Sequence, residues 1–303
     1  MYFTSLPDHT DPAFDERLHF SRFRRQNIVF DAISFRSFCD RHVGCLSIKR
    51  VLGGEERYGV DRRQLVLRPG RFLILNDNQE YSCRIDTAGE VRVQSVFFST
   101  AFVGAVFRDN LYREEALLDD PFNFQKRPLE FFQAIHDTDP GLEAAFQGLV
   151  SALNRQGYVQ PMVDERLVFI LSHLIRRHKT EANDTDRVGA LKAATRNEIH
   201  RRLCIAKDHL HSTFMESLDL EELGQVSHLS TPQLVRQFKA VFHTTPYQYL
   251  VRLRLQHAAG LLRNSALPVH EITWRCGFEN VSAFCRAFRA AYGAAPLQFR
   301  SMC

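Results

Sequence analysis

The sequence of 303 residues lacks any apolar run that approaches the ~20 residues needed to span a bilayer. Its first stretch, MYFTSLPDHTDPAF, carries acids and prolines where a signal peptide needs a basic start followed by an apolar segment. We therefore expect a soluble, cytoplasmic protein without a membrane partner.

Patterns typical of catalytic sites are also missing. The sequence has no GxSxG motif, no Walker-type glycine loop and no CxxC pair among its seven cysteines, which are predicted to be buried apolar side chains. The one HxH, His209 and His211, falls on a predicted helix, where a two-residue spacing directs the rings to different faces. We expect no catalytic residue, no metal and no cofactor, and thus no enzyme.

The small net charge of +4 conceals an asymmetry along the chain. Residues 193–303 hold 13 Lys and Arg against 8 Asp and Glu, a difference of +5. The remaining 192 residues hold 26 against 27, a difference of −1. Basic charge concentrated in the last third indicates a polyanionic partner for that third.

A nine-residue pattern occurs twice near the C-terminus, as FKAVFHTTP at 238–246 and FRAAYGAAP at 288–296. Apolar residues upstream of each copy have the spacing of two short helices that meet at a turn, offset by 49 residues before the turn and 50 after it. The pattern predicts two helix-turn-helix units. Their expected core residues are Leu220, Leu223, Val226, Leu229, Leu234 and Phe238 in the first copy, and Val269, Ile272, Cys276, Phe278, Phe284 and Phe288 in the second.

Turn and cap residues agree with this division. Gly277 is expected at a bend with positive φ, with His228 at the equivalent, less regular bend. Asn280 and Ser230 are expected to cap the helices that follow. Between the units, a helix that begins at Pro246 is predicted to be long enough to hold the two units near successive turns of a duplex.

The run from LEELGQVSHLS to AAYGAAPLQFR resembles the DNA-binding domain of AraC/XylS-type transcription regulators, over roughly residues 195–301. The resemblance implies that two helix-turn-helix units bind successive major grooves of double-stranded promoter DNA. It also implies RNA polymerase as a partner, with activation as the commoner outcome, although nothing in the residues excludes repression.

The second helix of each unit is expected to contact DNA through the side chains left over once the core positions are assigned. We expect phosphate contacts from Lys239 and Arg289. Pro232 and Cys285 also face outward but are expected to have structural roles. The expected base-reading residues, with Arg236 and Arg286 foremost, are Thr231, Gln233, Val235, Arg236, Asn280, Val281, Ser282 and Arg286.

The N-terminal part follows a different pattern. Residues 40–100 contain short β-rich runs separated by Gly, Pro, Asn and Asp. One of them, LRPGRFLILN, resembles the second motif of cupin-type sensor barrels through Pro69, Gly70 and Asn76. We therefore predict an α+β fold of two domains: a cupin-like sensor and dimerisation domain at 1–178, helical from about 137, a linker at 179–194, and the DNA-binding domain at 195–303.

One apolar stripe in the helical part supports two interpretations. Such a stripe usually packs on its own domain, and in regulators of the resembled type helices at this point also pair across a dimer. We predict a homodimer formed through this stripe, which consists of Val163, Leu167, Ile170, Leu171 and Leu174.

Three functions are compatible with this organisation. The leading hypothesis is a DNA-binding regulator controlled by a small-molecule or protein effector, whose pocket the sequence does not identify. A metal-independent enzyme tethered to a DNA-binding domain is the second. A barrel that binds a protein partner and no ligand is the third.

Overall fold

The computed structural model describes residues 1–7, 14–15, 19, 21–61, 63–111, 130–132, 135–184 and 193–302. The chain divides into two compact units, Met1–Asn183 and Asp184–Cys303. The first is rich in β-structure and the second is helical, so the predicted α+β class is confirmed. Residues 185–192 of the predicted linker and Cys303 lie outside the described residues.

The first unit is organised around one long strand. Strand β7 pairs with β2 along one edge, and with β3 and then β4 along the other. The remaining neighbours give the order β1-β2-β7-β3-β6-β8, with β5 attached to β4. The strands are β1 (Tyr2–Phe3), β2 (Ile28–Val43), β3 (Ser47–Gly53), β4 (Glu56–Val60), β5 (Arg63–Leu67), β6 (Arg71–Leu75), β7 (Glu80–Phe97) and β8 (Ile135–Asp137).

Alternation along the strands separates two apolar cores. In β3, Val51 joins a core formed between strands, with Tyr58 and Leu73. Ile48, on the opposite face of the same strand, joins a core formed between the sheet and helices, with Phe146. The sheet is therefore buried on both faces around β3.

The helices of the first unit correct the dimer prediction. They are α1 (Thr100–Leu111), α2 (Pro140–Gln156) and α3 (Gln160–Asp184). The apolar stripe of α3 covers the sheet and packs against α2, because that face of the sheet is itself apolar. Its residues are at most 1% exposed, so they form the core of their own unit and are not available to a second chain: Val163, Leu167, Ile170, Leu171 and Leu174.

Helix α3 also extends into the segment predicted as a linker. It ends at Asp184, six residues after position 178. No Pro or Gly interrupts this stretch, and Arg177 pairs with Glu181 one turn later, at 3.1 Å. Polar composition here marks a solvated helix end, which the sequence pattern alone did not distinguish from a linker.

The second unit contains a structural repeat. After α4 (Ala193–Thr213) come α5 (Leu220–Ser227) and α6 (Thr231–Phe242), called the first helix pair. Helix α7 (Pro246–Asn264) leads to the second helix pair, α8 (Val269–Arg275) and α9 (Val281–Tyr292), and the described helices end with α10 (Pro296–Ser301). Equivalent helices start 49 or 50 residues apart, which agrees with the offsets in the sequence.

Each helix pair has its own core, and α7 contributes to both. Tyr249, Leu250 and Leu253 pack with the first pair beneath α4, while Leu255, Ala258 and Leu262 pack with the second. The predicted core residues Leu234, Phe238, Phe284 and Phe288 are fully buried.

The turns show how the two copies differ. His228 and Gly277 both adopt positive φ, at 53° and 76°, as predicted. Asn280 caps α9, since its side-chain oxygen accepts a hydrogen bond from the Ala283 amide at 2.7 Å. Ser230 occupies the predicted cap position of α6, although its side chain makes no cap hydrogen bond. Its backbone is extended as a cap requires, and only the hydroxyl contact is missing.

The structure also shows where the two histidines of the HxH sequence lie. His211 is buried and its ring contacts the Tyr249 hydroxyl at 2.7 Å, whereas His209 lies 3.6 Å from Glu222, so the two rings face different neighbours. Within the described ranges, no group of three or more His, Cys, Asp or Glu is arranged to hold a metal. Across those same ranges, no helix is both long and apolar enough to cross a membrane.

We predict that Gly277→Ala destabilises the second unit by ~3 kcal/mol, against ~1 kcal/mol for Gly293→Ala. Both glycines have positive φ, but a Cβ at Gly277 would lie 2.6 Å from the Met215 carbonyl oxygen, while nothing lies within 4 Å of one at Gly293. Urea unfolding followed by the fluorescence of Trp274, the single tryptophan, measures both losses. Equal losses would show that the close approach does not matter.

A second comparison tests the caps. Asn280→Ala is expected to cost ~1 kcal/mol because it leaves an amide of α9 without its acceptor. Ser230→Ala should cost only a few tenths, since its hydroxyl makes no cap bond in the structure. The same unfolding assay applies, and a larger loss for Ser230→Ala would contradict this account.

Candidate nucleic-acid interface

The outward faces of α6 and α9 are positively charged. Their sequences, TPQLVRQFKAVF and VSAFCRAFRAAY, contain no Asp or Glu. The buried faces are occupied by the core residues given above. Helices of 12 residues are only marginally stable in isolation, so packing of their apolar faces holds α6 and α9 in place.

Four cationic side chains project from these faces without a partner. Arg236 and Lys239 on α6 and Arg286 and Arg289 on α9 are all exposed. Within the part of the chain that the structure describes, none of the four makes a side-chain hydrogen bond or an ion pair. They stand at equivalent points of the repeat, fifty positions apart in each case, so both helix pairs present two positive charges at the same places.

Other cations of this unit are committed to internal contacts. Arg201 and Arg202 bind Glu198 at 2.9 and 2.7 Å, and their hydrogen bonds lower the pKa of that carboxyl to about 2. Arg254 donates to the carbonyl oxygen of Phe214 at 2.7 Å, and Arg275 pairs with Glu271 at 3.7 Å. Arg252 lies over the ring of Tyr249, Arg263 lies over the ring of Phe299, and Arg300 donates to the Leu267 carbonyl.

Four of the six remaining predicted base-reading residues are half-buried. On α6, Thr231, Gln233 and Val235 are half-buried, and the Thr231 hydroxyl donates to the Leu220 carbonyl at 3.5 Å. On α9, Val281 is half-buried and Ser282 is exposed. Asn280 is exposed, but its oxygen is occupied by the cap, which leaves its NH2 group for other contacts.

Sequence reasoning missed one pair of surface residues. Tyr247 and Leu297 are 62% and 66% exposed, and each follows the proline that begins its helix, at the same point of the repeat. Their matching positions after Pro246 and Pro296 were a signal that could have identified them. Trp274 on α8 is 60% exposed as well and has no equivalent aromatic residue in the first pair.

Comparisons with known proteins agree with this geometry. Residues 223–302 match a family model described as a helix-turn-helix domain. The HTH-type transcriptional activator RhaR of Salmonella dublin is 30% identical over 47% of this chain and 48% of its own length. The HTH-type transcriptional activator RhaS of Escherichia coli O139:H28 is 34% identical over 33% of this chain and 36% of its own length.

Solved structures are also similar to the second unit. The C-terminal domain of AraT, a response regulator from Geobacillus stearothermophilus, is 29% identical over 34% of this chain and 85% of that chain, with a TM-score of 0.33.

The matches concern the second unit. The chain spans less than half the length of these curated relatives, and the probable transcriptional regulator LumQ of Photobacterium leiognathi, 29% identical, is covered over 40% of its length. The same part of the chain contains the helix repeat, the four unpaired cations and the residues that the family model matches. The second unit is therefore an AraC-type helix-turn-helix domain.

Proposed function

We propose that the chain is a sequence-specific transcription regulator whose helices α6 and α9 enter successive major grooves of promoter DNA. The observation that carries this proposal is the repeated pair of uncommitted cations on two helices that contain no acidic residue. The 19 residues of α7 span about 28 Å at 1.5 Å per residue, close to the ~34 Å repeat of the duplex.

The four cations have distinct proposed roles. Arg236 and Arg286 stand one turn closer to the start of their helices, where recognition helices contact base edges, and a guanidinium pairs bidentately with guanine. Lys239 and Arg289 contact phosphates and set the register without reading sequence. Six residues with shorter side chains complete the proposed DNA-contacting surface. They are the half-buried Thr231, Gln233, Val235 and Val281 and the exposed Asn280 and Ser282.

The first unit is proposed to be a cupin-like sensor. Its support is the β-rich architecture and the turn at Pro69 and Gly70, where φ of the glycine is 78°. Asn76 holds the end of β6 in place through two hydrogen bonds with the Phe131 backbone, at 2.8 and 2.9 Å. An effector acts here only if it binds the DNA-competent and incompetent states with different affinity. Activation through RNA polymerase is the outcome that the family resemblance favours.

A homodimer is proposed through the outer face of α3, since the inner face is core. Val168 and Phe169 are 40% and 63% exposed on that face. Beside Phe169, a groove between α2 and α3 is lined by Ala144, Ala145 and Arg166. An exposed aromatic ring beside a groove of small residues suits a two-fold contact in which each ring enters the other groove.

The DNA-binding proposal is tested with an operator selected from random-sequence DNA and a gel-shift titration. Arg286→Ala should cost ~1–3 kcal/mol of specific binding and relax base preference at one position. Arg289→Ala should weaken binding to all sequences and reduce the slope of log affinity against log salt concentration by about one. Arg201→Ala, which removes a charge already paired with Glu198, is the matched control.

Two results would contradict these assignments. Unchanged affinity and preference in Arg286→Ala would remove it from the base-reading set. A loss in Arg201→Ala equal to that in Arg286→Ala would show that only net charge matters.

The dimer proposal is tested by sedimentation velocity of the full-length protein. Phe169→Glu should weaken self-association ~30-fold, the effect of losing a central aromatic contact of about 2 kcal/mol. Phe35→Glu, at a ring that is 52% exposed on β2, should leave association unchanged. Dissociation by Phe35→Glu alone would place the interface on the sheet.

A further inference from the structure

The interior of the first unit contains a lysine. In β3, the side chains of Ser47, Lys49 and Val51 share one face, and that face joins the core between the strands. Lys49 stands opposite Ser95 of β7 and Leu73 of β6 in the strand register. It is only 4% exposed, so its ammonium has been removed from water by the fold itself.

The contacts of Lys49 are aromatic. Its Nζ lies 3.4 Å from the centroid of the Phe97 ring and 5.5 Å from that of Tyr81. Among the described residues, no hydrogen-bond acceptor and no carboxylate pairs with it. An ammonium has three N–H donors, and π faces stabilise the charge without satisfying them.

The neighbouring residue shows how this protein treats a structural charge. Arg50 points to the opposite face of β3 and is 3% exposed. Its guanidinium pairs with Glu143 and lies 4.6 Å over the Phe146 ring. Two adjacent buried cations are thus handled differently: of the two, only Arg50 forms an ion pair with a carboxylate.

Lys49 lines a cavity of about 60 Å³ together with Glu56, Tyr58, Tyr81, Ser95 and Phe97. At roughly 10–15 Å³ for each water-sized position, this space accommodates about four to six non-hydrogen atoms. Tyr58 donates its hydroxyl hydrogen to Glu56 at 2.7 Å. Burial raises the pKa of Glu56 and lowers that of Lys49 to about 8.

We propose that this cavity binds a small monocarboxylic acid, whose carboxylate accepts hydrogen bonds from Lys49 and whose apolar end lies against the aromatic rings. One buried cation beside the rings of Phe97 and Tyr81 matches one negative charge. A doubly charged phosphate or sulfate would leave a charge uncompensated beside Glu56. Its role as the effector that controls DNA binding rests on the proposed function.

The experiment uses the full-length protein without DNA. Acetate, propionate and pyruvate have four, five and six non-hydrogen atoms, and each is titrated by calorimetry at constant ionic strength, with acetamide and propionamide as uncharged controls. At least one acid should bind saturably and at least 10-fold more tightly than the amides. No saturable binding by any acid, or equal binding of acid and amide, would overturn the proposal.

Variants locate the site. Lys49→Met removes the charge and nearly keeps the length of the side chain, and it should weaken acid binding at least 10-fold. Lys179→Met, at an exposed lysine of the same unit, should leave acid binding unchanged. Circular dichroism checks folding, with Lys49→Gln as the alternative should Lys49→Met not fold. If neither folds, reductive methylation of the wild type decides, because a bound acid should protect Lys49 and not Lys179. Tight binding by a folded Lys49 variant, or equal labelling with and without acid, would refute the site.

A final comparison separates this inference from the proposed function. Operator affinity is measured with and without the acid that binds. Acid binding without DNA binding would leave the cavity assignment standing and refute the regulator. DNA binding that the bound acid does not alter would keep both sites and refute the effector role.

Discussion

Helix α7 is the element on which the second unit depends, because it contributes side chains to two separate cores. Tyr249, Leu250 and Leu253 belong to one core, and Leu255, Ala258 and Leu262 belong to the other. A helix whose two halves are both packed cannot bend without opening a core. It therefore holds the two helix pairs at one spacing. Arg254, at the junction of the halves, donates to the Phe214 carbonyl and adds the end of α4 to the same arrangement.

Because that spacing is rigid, the surface charges of the two helix pairs are held at fixed positions relative to each other. Four cations would be ordinary solvated side chains on a flexible chain. Here they occur in two matching pairs on helices that both pack on α7. Six arginines of the same unit are instead engaged by carboxylates, a carbonyl or rings: Arg201, Arg202, Arg252, Arg254, Arg263 and Arg275. The turns that precede α6 and α9 are also constrained, since each contains a residue with positive φ, His228 or Gly277. At Gly277 the backbone lies so close to the Met215 carbonyl that a side chain has no room.

The first unit follows a different constraint, which is the length of β7. A strand of 18 residues is the common pairing partner of β2, β3 and β4. Alternation along these strands then decides which side chains enter the interior. The same rule that buries Val51 and Tyr58 also buries Lys49, and the cost of enclosing that charge distinguishes it from the apolar residues around it.

Much of the second unit was determined by local sequence. The offset of 49 and 50 residues, the spacing of Leu234, Phe238, Phe284 and Phe288 and the prolines that start α7 and α10 all act within a turn or two of helix. Periodicity therefore sufficed to predict the helices, the core and the charged surface. Tertiary packing decided the rest, because periodicity shows that a face is apolar but not what covers it. Tertiary packing placed the stripe of α3 on its own sheet and continued that helix to Asp184. It left Arg236 and Arg286 unpaired while Arg254 is engaged. It also enclosed Lys49 among aromatic rings that a distant strand contributes.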